Sequence, residues 1–144
     1  MNASISSSRD IAAPPAVVHD LLTDVQAWAL WSPHIASVVP SAGHVGVGWT
    51  GAVRAWFSPR PVDMVVDAAP PGGGLRWHST ALGHVLRYEN HVEPAGPGAA
   101  RVTFTARVEG PAGPLVTRLA APLSAFGQRR RLARLAALAR LVAR

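Results

Sequence analysis

His84-Val85-Leu86-Arg87-Tyr88-Glu89-Asn90-His91-Val92-Glu93 alternates between two kinds of residue, and that alternation decides how the rest of the chain is read. Val85, Arg87, Glu89, His91 and Glu93 form a mostly charged set that suits solvent. His84, Leu86, Tyr88, Asn90 and Val92 share the opposite face of a strand. The same period continues downstream. Val102, Phe104, Ala106 and Val108 point one way there, opposite Arg101, Thr103, Thr105 and Arg107. Upstream, Leu75, Trp77 and Ser79 take the inward phase. A sheet with one charged and one apolar face needs a cover on the second.

Working outward, the spacing predicts strands over 47–57, 61–68, 74–81, 84–93 and 100–109, parted by Gly/Pro-rich separators at 58–61, 70–74 and 95–98. Connections this short favour antiparallel neighbours, because parallel pairing needs a long crossover. In 47–57 the phase stays open: Val53, Ala55 and Phe57 favour one face and Trp56 the other, which leaves Arg54 unplaced. Residues 4–11 predict a first strand, ending at Pro14-Pro15. From Pro15, apolar residues at 17, 18, 21, 22 and 25 make the stripe of an amphipathic helix. Gln26 to Val39 reads as a second, broken helix that packs Trp28 and Trp31 inward and is interrupted by Ser32-Pro33. After Gly110-Pro111-Ala112-Gly113-Pro114 the chain turns helical from Leu115 to Arg144. Leu119, Leu123, Phe126, Leu132, Leu135, Leu138 and Val142 supply its apolar face, and Pro122 and Gly127 should weaken its middle. The expected architecture is α+β: a curved antiparallel β-sheet wrapped around a long C-terminal helix, with two short helices after strand 1.

With 144 residues, one domain over 1–144 is expected, with a core large enough to need no covalent staple. The absence of cysteine excludes disulfides, zinc–thiolate sites and cysteine nucleophiles. Without a signal-peptide pattern or an apolar run near the roughly 18 residues that span a bilayer, a soluble, cytoplasmic protein is expected. The net charge of +6 comes from fourteen arginines and no lysine, against eight acidic residues. Seven arginines fall between Arg118 and Arg144, on the predicted terminal helix, and a solvated helix face is the plain explanation.

Ile11-Ala12-Ala13-Pro14-Pro15-Ala16-Val17-Val18-His19-Asp20-Leu21-Leu22-Thr23-Asp24, followed by Trp28 and Trp31-Ser32-Pro33, resembles the opening of the START-like polyketide cyclase/dehydrase superfamily. This group, often labelled SRPBCC, includes the birch-pollen-allergen-like proteins. Leu75-Arg76-Trp77 and Val92-Glu93-Pro94 with Ala100-Arg101-Val102-Thr103 extend the likeness nearly end to end. The chain departs from it at His19, where an aromatic is common, and at Ala29-Leu30, where proline and an acid are common. The resemblance implies a helix-grip fold enclosing a pocket for an apolar small molecule. It leaves open whether the molecule is a lipid, a quinone or a polyketide, and whether it is only held or also cyclised.

The ligand-binding candidates follow from the inward phase. Trp77, Ser79, His84, Leu86, Tyr88, Asn90 and Phe104 should form the floor, with Leu119, Leu123 and Phe126 as a lid. Tyr88 and Asn90 stand out because buried polar groups need partners. In a cyclase they would orient a polyketone, with Tyr88 or His84 assisting proton transfer. The plain alternative is that they bond to each other, to backbone or to trapped water. The histidines make no metal-binding spacing, and no cofactor loop, nucleophile elbow or glycosidase acid pair is present, so neither metal nor cofactor is expected. A competing function is a peripheral module that docks on anionic lipid or nucleic acid through Arg129-Arg130-Arg131, Arg134, Arg140 and Arg144. Adjacent arginines lie about 100° apart around a helix, which spreads that charge. No sequence-specific nucleic-acid recognition is expected, and monomer and homodimer stay equally open.

Overall fold

A computed structural model describes residues 3–144. In it the alternating segments become β6 (His84–Pro94) and β7 (Ala100–Glu109), paired antiparallel in unbroken register from Val85↔Glu109 to Pro94↔Ala100. Seven strands form one antiparallel sheet in the order β1-β7-β6-β5-β4-β3-β2. The others are β1 (Ile5–Ile11), β2 (Ile35–Val39), β3 (Thr50–Ala55), β4 (Val62–Ala68) and β5 (Gly74–Ala81). The helices are α1 (Pro15–Thr23), a 3-10 turn at Val25–Ala27, α2 (Trp28–Trp31) and α3 (Gly113–Val142). This is the helix-grip arrangement.

One element differs from the sequence reading. The second helix ends at Trp31, and Ile35–Val39 is the edge strand β2, paired to β3 through Ile35↔Ala55 and Val38↔Val53. Pro33 explains the break. It has no N–H to continue a helix and pushes Ser32 out of the helical region, to φ −123 and ψ 78. The β-branched residues that follow then suit a strand. The open phase of 47–57 settles on Val53, which shares an inner face with Met64 and Val62. Arg54 turns away and donates to the Ala55 and Ser58 carbonyls.

The outer face carries the charged set. Glu109 accepts from Arg87 Nε at 2.6 Å and pairs with Arg107 at 2.9 Å, while Asp67 takes His78 Nδ1 at 2.9 Å. Between β5 and β6 the two-residue loop Leu82-Gly83 has positive φ at both positions, the turn that matches strand twist.

Beneath the sheet the core divides along α3. Its C-terminal half packs Leu132, Leu135, Ala136 and Ala139 against Leu22, Trp28, Trp31 and Phe104. Trp28 and Trp31 donate their indole N–H groups to the Leu22 and Leu21 carbonyls at 2.8 and 3.2 Å, satisfying groups near the end of α1. His19 Nδ1 accepts the Gly74 N–H at 3.0 Å and so ties α1 to the start of β5. Burial pushes the His19 pKa down, opposed by Asp20 and reinforced by His44. Gln128 pins the middle of α3 to β1, donating to the Ile5 carbonyl at 2.9 Å and accepting from Ser7 at 2.8 Å. Near the start of the helix, Thr117 accepts the Val108 N–H and donates to the Gly113 carbonyl.

Candidate functional site

α3 packs on β1 and β7, and between its middle and the inner faces of β3–β6 the core gives way to a cavity of about 680 Å³. That volume is in the range of small-molecule sites, roughly 300–1,000 Å³. Its floor is built by strand register. Trp77 lies opposite Tyr88, Ser79 opposite Leu86 and Leu75 opposite Asn90, so the side chains of each pair emerge on the same face. The Trp77 and Tyr88 rings stack with centroids 5.2 Å apart and planes 21° from parallel. Val53, Val62 and Met64 continue the apolar wall on β3 and β4, and Trp28, Trp31 and His34 close one end. Trp56 and Phe57 stand at the rim, 70% and 67% exposed.

Seven of the sequence-derived candidates line this space: Trp77, Ser79, Leu86, Tyr88, Asn90, Leu123 and Phe126. Three lie elsewhere. His84 sits at the hairpin end of β6, donating from Nδ1 to the Leu82 carbonyl at 3.0 Å and packing over Gly110, and is not part of the cavity lining. Leu119 is 75% exposed, because its position on α3 points away from the sheet. Leu123 and Phe126 are also largely exposed and border the cavity from the helix side. Phe104 is buried in the core outside the cavity lining, with its ring 5.9 Å from that of Trp31 and the guanidinium of Arg131 over it.

Arg131, read from the sequence only as part of a solvated or surface-docking arginine run, is placed differently by the structure. It lines the cavity from α3, with its guanidinium carbon 5.5 Å from the Phe104 ring centre and Nε donating to the Gly127 carbonyl at 3.2 Å. Burial lowers the Arg131 pKa from its ordinary value, and Tyr88 opposes that shift. Tyr88 is raised by burial, with Arg131 acting against it. His34, whose Nδ1 is 3.2 Å from Ser32 Oγ, is lowered by burial and then by the charge on Arg131. The charge on Arg131 therefore acts on both Tyr88 and His34, which also line the cavity. The side chains of Tyr88 and Asn90 both line the cavity. No cluster of three potential metal ligands occurs among the described residues.

The sequence profile of the family described as "Polyketide cyclase / dehydrase and lipid transport" matches residues 2–140. The chain belongs to this family. Similar solved structures include protein jhp0584 of Helicobacter pylori, with a TM-score of 0.77 at 13% identity over 96% of this chain and 89% of that one. A norcoclaurine synthase point mutant of Thalictrum flavum, solved with a transition-state analogue, gives 0.69 at 13% identity over 96% and 94%. DynU16, from the dynemicin biosynthetic locus, gives 0.70 at 18% identity over 94% of this chain, which spans only 46% of DynU16. At such identities the likeness establishes the fold alone. No curated protein matches the sequence. Family and cavity together support hydrophobic small-molecule binding as the general function. No helix among the described residues is long and apolar enough to cross a membrane.

Proposed function

We propose that the chain holds an apolar molecule of lipid, quinone or polyketide type between β3–β6, α2 and the middle of α3. The observation that carries this reading is the stacked Trp77–Tyr88 floor, flanked in the cavity lining by the polar side chains of Asn90 and Ser79. Planar aromatic walls favour a flat or extended apolar body, and the Tyr88 hydroxyl and Asn90 amide would meet its carbonyls or hydroxyls. If the ligand is turned over rather than only carried, Tyr88 is the group placed to move a proton, since His84 lies outside. Native mass spectrometry and dye displacement with fatty acids, quinones and aromatic polyketides test the reading. Failure of every class to bind would refute it. Loss of turnover with retained affinity in Tyr88→Phe would favour the cyclase form over the carrier form.

A second reading rests on the outward face of α3. Leu115, Leu119, Leu123 and Phe126 are 57–78% exposed there, near the exposed Arg118, Arg129 and Arg130. No acidic residue follows Glu109 in the sequence. Exposed apolar side chains beside unopposed arginines suit an anionic bilayer surface better than nucleic acid, whose backbone offers them no apolar phase. Co-sedimentation with phosphatidylglycerol vesicles, absent with phosphatidylcholine, is the expected result. Equal recovery with both would remove the reading.

A further inference from the structure

The charges around the cavity are all of one sign. Arg130 and Arg131 line it, and no aspartate or glutamate does. On the sheet four arginines have carboxylate partners: Arg87 and Arg107 hold Glu109, Arg101 holds Asp10, and Arg76 stands 3.7 Å from Glu89. Arg131 lines the cavity and is itself only partly exposed, yet it has no carboxylate within 4.0 Å among the described residues. Of the five N–H donors on its guanidinium, only Nε–H is engaged among the described residues, with the Gly127 carbonyl. A partly buried cation without a counter-ion is costly, and the Phe104 ring beneath it repays only part of that cost.

We propose that the ligand carries a single carboxylate, received by Arg131 at the end of the cavity bounded by Tyr88 and His34. This rests on the reading that the cavity holds an apolar molecule, and it adds the chemistry of that molecule's polar end. The planar guanidinium fork matches a carboxylate's two oxygens, and one positive charge balances one negative charge. A phosphate dianion would lack a second cation inside, because Arg130, the other cation of the lining, is exposed. Tyr88 would donate its hydroxyl to the same group. Protonated tyrosine is the form that burial favours. The apolar remainder would then lie along Trp77, Leu86 and Met64.

The test is calorimetric titration of the full chain with two matched pairs: decanoate against 1-decanol, and naphthalene-2-carboxylate against 2-acetylnaphthalene. The expected result is that each acid binds about ten- to a hundredfold more tightly than its uncharged partner, the factor a charge-assisted hydrogen bond supplies. In Arg131→Met that preference should vanish while the affinity for 1-decanol is retained, and in Arg131→Lys it should fall only in part. Equal binding of acid and uncharged partner by the unaltered chain overturns the proposal and leaves the apolar cavity standing. So does a preference that survives in Arg131→Met. Failure of all four probes removes both. The comparison within the unaltered chain needs no variant to fold.

Discussion

Replacing Gln128 by methionine tests the point where the packed and hollow halves of the molecule meet. The side chain is 1% exposed and makes two bonds to β1, from Nε2 to the Ile5 carbonyl at 2.9 Å and from the Ser7 hydroxyl to Oε1 at 2.8 Å. Methionine fills nearly the same volume and makes neither bond. The Ile5 carbonyl would be left without that partner, at a cost of about 1–3 kcal/mol. Ser7 is partly exposed and can turn to water, so it adds less. The burial of a more apolar side chain recovers a fraction of this. A net loss of about 2 kcal/mol is expected, equivalent to a Tm lower by about 4–8 °C for a chain of this size. Urea denaturation followed by tryptophan fluorescence measures it. A double-mutant cycle with Ser7→Ala should give a coupling of about 1 kcal/mol. A loss under about 0.5 kcal/mol in the single variant would refute the idea that this pair of bonds holds α3 to the sheet.

Other outcomes follow from the same geometry. Leu82, 98% exposed with φ 51, occupies a left-handed position that disfavours branched side chains, so Leu82→Asn should raise stability by about 1 kcal/mol in urea melts; no gain would count against the turn assignment. Tyr88 is the only tyrosine, so tyrosinate absorbance reads it alone. It should titrate above its ordinary value of 10.0, and higher still in Arg131→Met, where the opposing charge is gone. Because the unfolded chain then loses this proton first, stability should fall as pH rises above about 10. The depressed His19 works in the opposite direction. The unfolded state takes up the proton first, so stability present above the ordinary value of 6.5 should be lost as pH falls through the lower folded value. His19→Gln should flatten that slope, with His34 supplying what remains; an unchanged slope would argue against the His19–Gly74 bond.

Strand residues were the most legible part of the molecule, because a period of two leaves little choice once charge marks the outer face. Trp77, Tyr88 and Asn90 could be placed together on that basis alone. Ile35–Val39 could not, since five residues carrying three β-branched side chains fit the end of a helix or a short edge strand equally well. The first half of the terminal helix was legible only in part, since Leu123 and Phe126 border the cavity while Leu119 does not. Leu119, Leu123 and Phe126 look like a core stripe, yet the helix buries Thr117 and Gln128 and covers a void rather than a packed interior. Apolar periodicity measures what can be buried, and it carries no information about whether anything lies beneath. Arg131 was hidden by the same rule, since arginine runs are read as solvated. A signal was nonetheless present: three successive arginines sweep about 200° of helix, so one of Arg129, Arg130 and Arg131 must approach the face that Gln128 and Leu132 occupy.

The two walls of the cavity are anchored very differently. The floor pairs Trp77 with Tyr88 between neighbours that meet across the outer face, Arg76 with Glu89 and His78 with Arg87. Changing a floor residue therefore disturbs a strand ladder and the ion pairs behind it. Leu123 and Phe126 border the same space from a helix surface that is 78% and 57% exposed, where substitution touches little else. Ligand preference in a chain built this way can drift through the helix side while the sheet is conserved. Lineages sharing this scaffold would diverge in what they hold long before they diverge in how they fold.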